Sequence, residues 1–240
     1  MSLTENLNNE LEKIYSSTNF NNKNINEELS ILYDKFEKSI ISLLKTHEKE
    51  AKEYYLKREE YSKKNVDPVN EKVKDIIKKL TDEYSNKYND EFTSQVASSY
   101  SAKMNLIGES DIDYFILFKP LTHERLINIS QLLEKYNFKF DKIMNKEKVN
   151  NIYYVYNRII DDIEVEIKVR DIFYTKSVIQ LHNFIDNKLD KNTKILLTYA
   201  KHLLKLKSKE DKSFRGYNLF KTLFYNYCFK DIEDSFYITV

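Results

Sequence analysis

The sequence predicts an α+β fold, with a mixed β-sheet core that follows one helical segment and precedes another. Three observations carry that prediction. Apolar residues recur every three to four positions before residue 80, strand-like runs crowd between residues 92 and 169, and the helical period returns beyond residue 171. Composition shifts divide the chain into an N-terminal helical segment (1–65), a core (66–175) and a C-terminal helical subdomain (176–240). At 240 residues and 41% hydrophobic, the chain can bury one large domain or a core with a helical appendage.

Residues 1–24 are Asn-rich and weakly patterned, which predicts a frayed end or a short helix. Leu29, Leu32, Phe36, Ile40, Leu43 and His47 then fall on one stripe of a helix. Lys and Glu dominate residues 48–64, a more solvated extension of it. Asp67-Pro68 is expected to end that helix, and Pro68 to open a second with Val69, Val73, Ile76, Ile77 and Leu80 on its apolar face. A short strand over 92–97, a turn over 98–101 and a buried strand over 112–118 follow. Residues 122–136 read as a helix with Leu126, Ile129, Leu132 and Leu133 on one face. Residues 138–144, 152–160 and 163–169 read as strands, the last two joined by a hairpin turn at Asp161-Asp162. Three helical segments are expected between Asp171 and about residue 230, and no internal repeat is present.

Composition narrows the function classes. The net charge of +1 gives no global field towards nucleic acid or membrane, so an RNA would be held by a local basic patch. The single cysteine, Cys228, excludes an internal disulfide framework and a Cys-rich zinc site. That usage fits a reducing compartment, and a cytoplasmic protein is expected. The start, Met1-Ser2-Leu3-Thr4-Glu5, lacks a signal-peptide pattern, and no apolar run approaches the ~20 residues a membrane helix needs. His47, His123, His182 and His202 have no ligand-like spacing. The absence of a Gly-rich phosphate loop excludes P-loop and Rossmann readings. The N-terminal helix is expected to serve as a packing brace, or as a homodimer or subunit contact.

The candidate site begins at Gly108-Glu109-Ser110-Asp111-Ile112-Asp113. A strand carries residues i and i+2 on one face, so Asp111 and Asp113 point together. Gly108, one of only two glycines, sits three residues before the pair, where a tight approach to a strand suits it. The strict alternation of residues 163–169 sends Glu164, Glu166 and Lys168 to a single face. Each pattern alone fits a solvated strand. Together they predict a three-carboxylate cluster that would repel itself unless Mg²⁺ or Mn²⁺ sat among its oxygens. Two such ions roughly 3.5–4 Å apart activate an attacking hydroxyl and stabilise a leaving pyrophosphate. The third carboxylate is then suited to act as general base.

The stretch Ser98-Ser99-Tyr100 followed by Gly108-Glu109-Ser110-Asp111-Ile112-Asp113 resembles the signature of the DNA polymerase β-like nucleotidyltransferases. It is closest in style to poly(A) polymerases, terminal uridylyltransferases and 2′-5′-oligoadenylate synthetases. The resemblance implies a nucleotidyltransferase-type sheet and a cleft between it and the C-terminal helices. It implies that Asp111 and Asp113 hold both metal ions and that Glu166, or else Glu164, is the third carboxylate. Ser99 would hold the triphosphate with Ser110 beside it, and Ser98 stands where the family carries a glycine. Further on, the helix Lys194–Lys205 and the segment Phe214-Arg215-Gly216-Tyr217 resemble the family's Lys-ended helix and Tyr-bearing helix start. By that likeness Lys201 binds phosphate and Tyr217 stacks on the base, with Arg215 in the dense basic stretch between them. The implied reaction is template-independent transfer of a nucleoside monophosphate from a nucleoside triphosphate to a hydroxyl, with RNA the leading acceptor, as in polyadenylation.

Two alternatives stand beside this. Glu166-Ile167-Lys168-Val169-Arg170 with His182 is similar to a segment of RelA/SpoT-type alarmone synthetases, which transfer pyrophosphate to a guanine nucleotide. That family's Asp-x-x-Gly-x-Arg strand is missing here. The altered Ser98-Ser99 turn is instead compatible with a nucleotidyltransferase fold used as a binding or scaffold subunit.

Overall fold

Among the described residues five strands build one mixed sheet, as the alternating and apolar runs predict. They are β1 (Thr93–Ala97), β2 (Asp111–Phe118), β3 (Lys139–Lys146), β4 (Asn151–Ile160) and β5 (Ile163–Asp171). The computed structural model describes residues 1–18, 25–109, 111–146, 151–172 and 189–228. The strand order is β1-β2-β5-β4-β3, with β5 parallel to β2 and every other pairing antiparallel. Asp161 and Asp162 turn the β4–β5 hairpin with φ of 48° and 64°, the left-handed values whose twist matches that of the flanking strands. β3 lies at one edge, and a bulge between Phe140 and Lys142 interrupts its pairing.

The helices are α1 (Leu3–Ser16), α2 (Ile25–Lys35), α3 (Ser42–Lys45), α4 (Glu48–Tyr61), α5 (Asp67–Tyr88), α6 (Ser98–Ser101), α7 (His123–Lys135), α8 (Lys191–Glu210) and α9 (Gly216–Cys228). One face of the sheet carries Ile112, Tyr114, Ile116 and Phe118 of β2 and Val165, Ile167 and Val169 of β5. These pack into one core with Val69, Val73, Ile77 and Leu80 of α5 and Ile129, Leu132 and Leu133 of α7. Thr122 caps α7 by accepting from the Arg125 amide, which sets its start where the sequence placed it.

Several details differ from the sequence reading. At the N-terminus, of the two expectations, a frayed end or a short helix, the helix is found: Ser2 and Glu5 form a reciprocal capping box, and Leu7 and Leu11 are fully buried. The chain between α2 and α3 forms a π-helical turn over Phe36–Ile41. Its wider turn shifts the stripe by one position, so Leu44 rather than Leu43 is fully buried after Phe36 and Ile40. Asp67-Pro68 does not end a helix. A second π-helical turn, Ser62–Val66, runs straight into α5, which takes Pro68 in its first turn. Residues 98–101 form a single helical turn, and the first of the three expected C-terminal segments lies outside the described residues.

The chain divides into two compact units, Met1–Lys57 with Asn187–Val240, and Arg58–Asp186. The N-terminal segment and the C-terminal helices, expected as separate parts, therefore fold as one unit. In it α1 packs on α8 and α9, and Tyr54 stacks on His202 with ring centroids 4.1 Å apart. Leu32, Phe36 and Ile40 are fully buried within the chain, as a packing brace requires. Among the described residues no helix is long and apolar enough to cross a membrane.

Candidate functional site

The parallel register of β2 and β5 sets Asp111 opposite Glu164 and Asp113 opposite Glu166. Because the intervening Ile112, Val165 and Ile167 turn into the core, all four acids belong to the other face of the sheet. The neighbouring strands complete the row through Asp113: Ala97 of β1 lies beside it, and Asn157 of β4 lies beside Glu166. Asp113 is buried, Asp111 and Glu166 are half-buried, and Glu164 is exposed. Between the two candidates for a third acid, the register therefore pairs Glu166 with the buried aspartate.

A lysine stands between them. Lys168 follows Glu166 by two residues on the same face and donates to Asp113 Oδ1 at 2.7 Å. The same Nζ lies 3.1 Å from Glu166 Oε2. Burial works against its charge, but Asp113 and Glu166 together hold Lys168 above the ordinary lysine range. Burial pushes the Glu166 carboxyl above the usual carboxylate range; Lys168 pulls against that shift, and Asp113 adds to it.

Within the expected cluster, two of the carboxylates, Asp113 and Glu166, are bridged by an ammonium. Among the described residues no three acidic, His or Cys side chains are gathered as a metal site, and Asp111 shares the face of the pair. Sequence reasoning placed Lys168 on this face but gave it no part. The alternation that put it there was the available signal. Further along β5, Arg170 is buried with its guanidinium 5.5 Å from the Phe115 ring centre and 5.3 Å from that of Tyr153. Burial pushes it down to about 10.

The segment ahead of β2 is held from two directions. Arg58 of α4 donates through Nε to the Asn105 carbonyl at 3.4 Å and through its terminal nitrogen to Asn105 Oδ1; both residues are buried. Gly108 has φ +70°, a left-handed value that favours glycine, and nothing lies within 4 Å of where a Cβ would stand. Its scarcity value in the sequence is therefore conformational. Ser99 is half-buried in α6, and its carbonyl accepts from the Met104 amide at 2.7 Å. Ser98 opens the same turn, while Ser110 lies outside the described residues, as does His182.

Lys201, Arg215 and Tyr217 belong to the helical unit. Lys201 is half-buried on α8, Arg215 is exposed just ahead of α9, and Tyr217 lies in the first turn of α9. Lys205 Nζ and Lys221 Nζ lie 4.7 and 5.4 Å from the Tyr217 ring centre, so the ring already has two cations against it. Gly216 answers to packing: a Cβ there would stand 2.6 Å from the Phe214 ring and 2.8 Å from Asn8 Oδ1.

The donor chemistry of Asp113 and Glu166 fits a hard divalent cation. Both offer carboxylate oxygens on one face, and a single ammonium leaves the pair with net negative charge. No family model matches the sequence, and a search of curated proteins returns no match.

Proposed function

We propose that this protein is a divalent-cation-dependent nucleotidyltransferase that moves a nucleoside monophosphate from a nucleoside triphosphate to a hydroxyl acceptor, with RNA the first acceptor to test. The observation that carries the reading is the register of Asp113 against Glu166 across parallel strands, with Asp111 on the same face. It supports the resemblance because that likeness asks for an acid pair on one strand and a third acid on its neighbour. Asp111, Asp113 and Glu166 are the residues to hold Mg²⁺ or Mn²⁺. When bound, the ion neutralises phosphate charge and acidifies the attacking hydroxyl.

In the reaction the acceptor oxygen bonds to the α-phosphorus, the bond from that phosphorus to the bridging oxygen breaks, and pyrophosphate leaves. The hydroxyl proton passes to Glu166, the acid that the register sets opposite Asp113. Ser99 and Ser110 are assigned to the triphosphate, with Ser98 as a weaker member of that turn. The resemblance also ties Lys201 to phosphate and Tyr217 to a base, with Arg215 beside them, and those three residues belong to the helical unit. Glu164 is the reserve third acid.

A binding or scaffold subunit is the second reading, favoured by Lys168, whose ammonium already balances much of the charge that a metal would otherwise answer. The deciding assay incubates the protein with Mg²⁺ or Mn²⁺, each labelled nucleoside triphosphate and a short RNA, then repeats it with Asp111→Asn and Asp113→Asn. Metal-dependent extension lost in both variants supports the enzyme. No metal-dependent product under any combination overturns it in favour of the scaffold. Product formed on guanine nucleotides without RNA favours pyrophosphate transfer of the alarmone-synthetase kind.

A further inference from the structure

The reaction described above leaves Lys168 without a part, although it is the cation closest to the acids that matter most. Its side chain is only 20% exposed and that of Asp113 only 6%, so the contact is screened from water on most sides. The ammonium touches Asp113 and Glu166 at once and comes from the same strand as Glu166, so no distant segment has to close to deliver it. The other cations near this face are committed differently: Arg170 stacks on Phe115 and Tyr153, and Lys142 of β3 pairs with Asp141 at 2.8 Å. An ammonium and a divalent ion seek the same carboxylate oxygens, and like charges cannot share one place at contact distance.

We propose that Lys168 is a built-in competitor for the divalent cation at Asp113 and Glu166, so that a metal ion takes those oxygens only when the ammonium leaves them. The inference rests on the nucleotidyltransferase reading and adds to it a cause for weak metal binding by the nucleotide-free protein. An incoming triphosphate offers the displaced ammonium a new anionic partner. Metal and nucleotide binding then become coupled through one side chain, each strengthening the other by the same factor.

The test is Mn²⁺ titration calorimetry without nucleotide on the native protein, Lys168→Met, Lys168→Arg and the double variant Lys168→Met/Asp113→Asn, with folding checked by circular dichroism. Lys168→Met is expected to bind Mn²⁺ roughly tenfold more tightly or better, about one decade of Kd. Lys168→Arg, which keeps the charge, should bind like the native protein, and the double variant should lose the gain. Equal or weaker binding by folded Lys168→Met overturns the competitor while leaving the nucleotidyltransferase reading standing. Absence of Mn²⁺ binding in every form overturns both. A measurement needing no substitution runs alongside: acetylation of lysines in the native protein, read by mass spectrometry with and without saturating Mn²⁺. Lys168 should become several-fold more reactive with the metal while Lys142 does not change, and an unchanged Lys168 rejects the displacement.

Discussion

The Tyr114 hydroxyl donates a 2.7 Å hydrogen bond to Asn70 Oδ1, and both side chains are buried. Tyr114 follows Asp113 directly and points to the opposite face of β2, so this bond ties the strand to α5 immediately behind the candidate site. Burial, with Glu71 acting in the same sense, pushes the Tyr114 phenol above the ordinary tyrosine range, which keeps it a donor at every physiological pH.

Tyr114→Phe would leave the Asn70 carbonyl buried without that donor. The expected loss is about 1–3 kcal/mol, read as a lower denaturation midpoint in urea. A double-mutant cycle with Asn70→Leu should recover part of it, because both polar partners are then gone.

Glu166→Gln is expected to stabilise the metal-free protein and, under the proposed nucleotidyltransferase reading, to abolish transfer. A buried and a half-buried carboxylate share one ammonium, and burial already disfavours the charged form of Glu166. Removing one charge leaves Lys168 and Asp113 paired one to one. A rise in Tm corresponding to about 1 kcal/mol is the expected reading, and a fall would show that the acid contributes stability instead.

Gly108→Ala should cost about 1–2 kcal/mol through backbone strain alone, since no atom obstructs the added methyl. Gly108→Asn should cost less, because asparagine tolerates left-handed φ. Thermal denaturation of the two variants compares them directly. Equal losses would show that φ at this position is not what selects glycine.

Asp90 supplies a pH-dependent contribution away from the site. Arg125 grips it with Nε and a terminal nitrogen at 2.8 and 2.6 Å, and the Tyr84 hydroxyl adds a third donor at 3.2 Å. Burial opposes the ionised form, yet Arg125 and the other donors hold the Asp90 carboxyl below the usual range. A depressed carboxyl stabilises the fold above its unfolded value and loses that effect as pH falls through its folded one. Asp90→Asn should therefore cost about 1 kcal/mol at pH 7, a figure kept small by partial exposure of both side chains. The gap to the native protein should close as pH drops below about 4. A gap that persists in acid would assign the loss to packing.

Most of the sheet could be read from the chain because its strands obey simple periods. Residues 163–169 alternate without exception, and Asp161-Asp162 is a turn that only a hairpin explains. Asp111 and Asp113 fell on one face for the same reason. What escaped was set by events that periodicity does not encode. The π-helical turns insert an extra residue into a helical stripe, which moved burial from Leu43 to Leu44 and carried the helix past Pro68. The joining of the first and last helices into one unit depends on long-range packing that no local window contains. At the site, the alternation gave Lys168 its face, but only the register across β2 and β5 shows which acids its ammonium reaches.

The edge position of β3 bears on how the protein behaves in concentrated solution. An unpaired strand edge offers a row of amides and carbonyls onto which another chain can add. Phe140, Ile143 and Ile152, all substantially exposed on this hairpin, would make such an addition adhesive. The bulge at Phe140/Lys142 breaks the regular spacing a second strand would need, and Lys139 and Lys142 place charge along the same edge. Substitutions that remove the bulge or those lysines are therefore expected to surface first as poor recovery of dissolved protein.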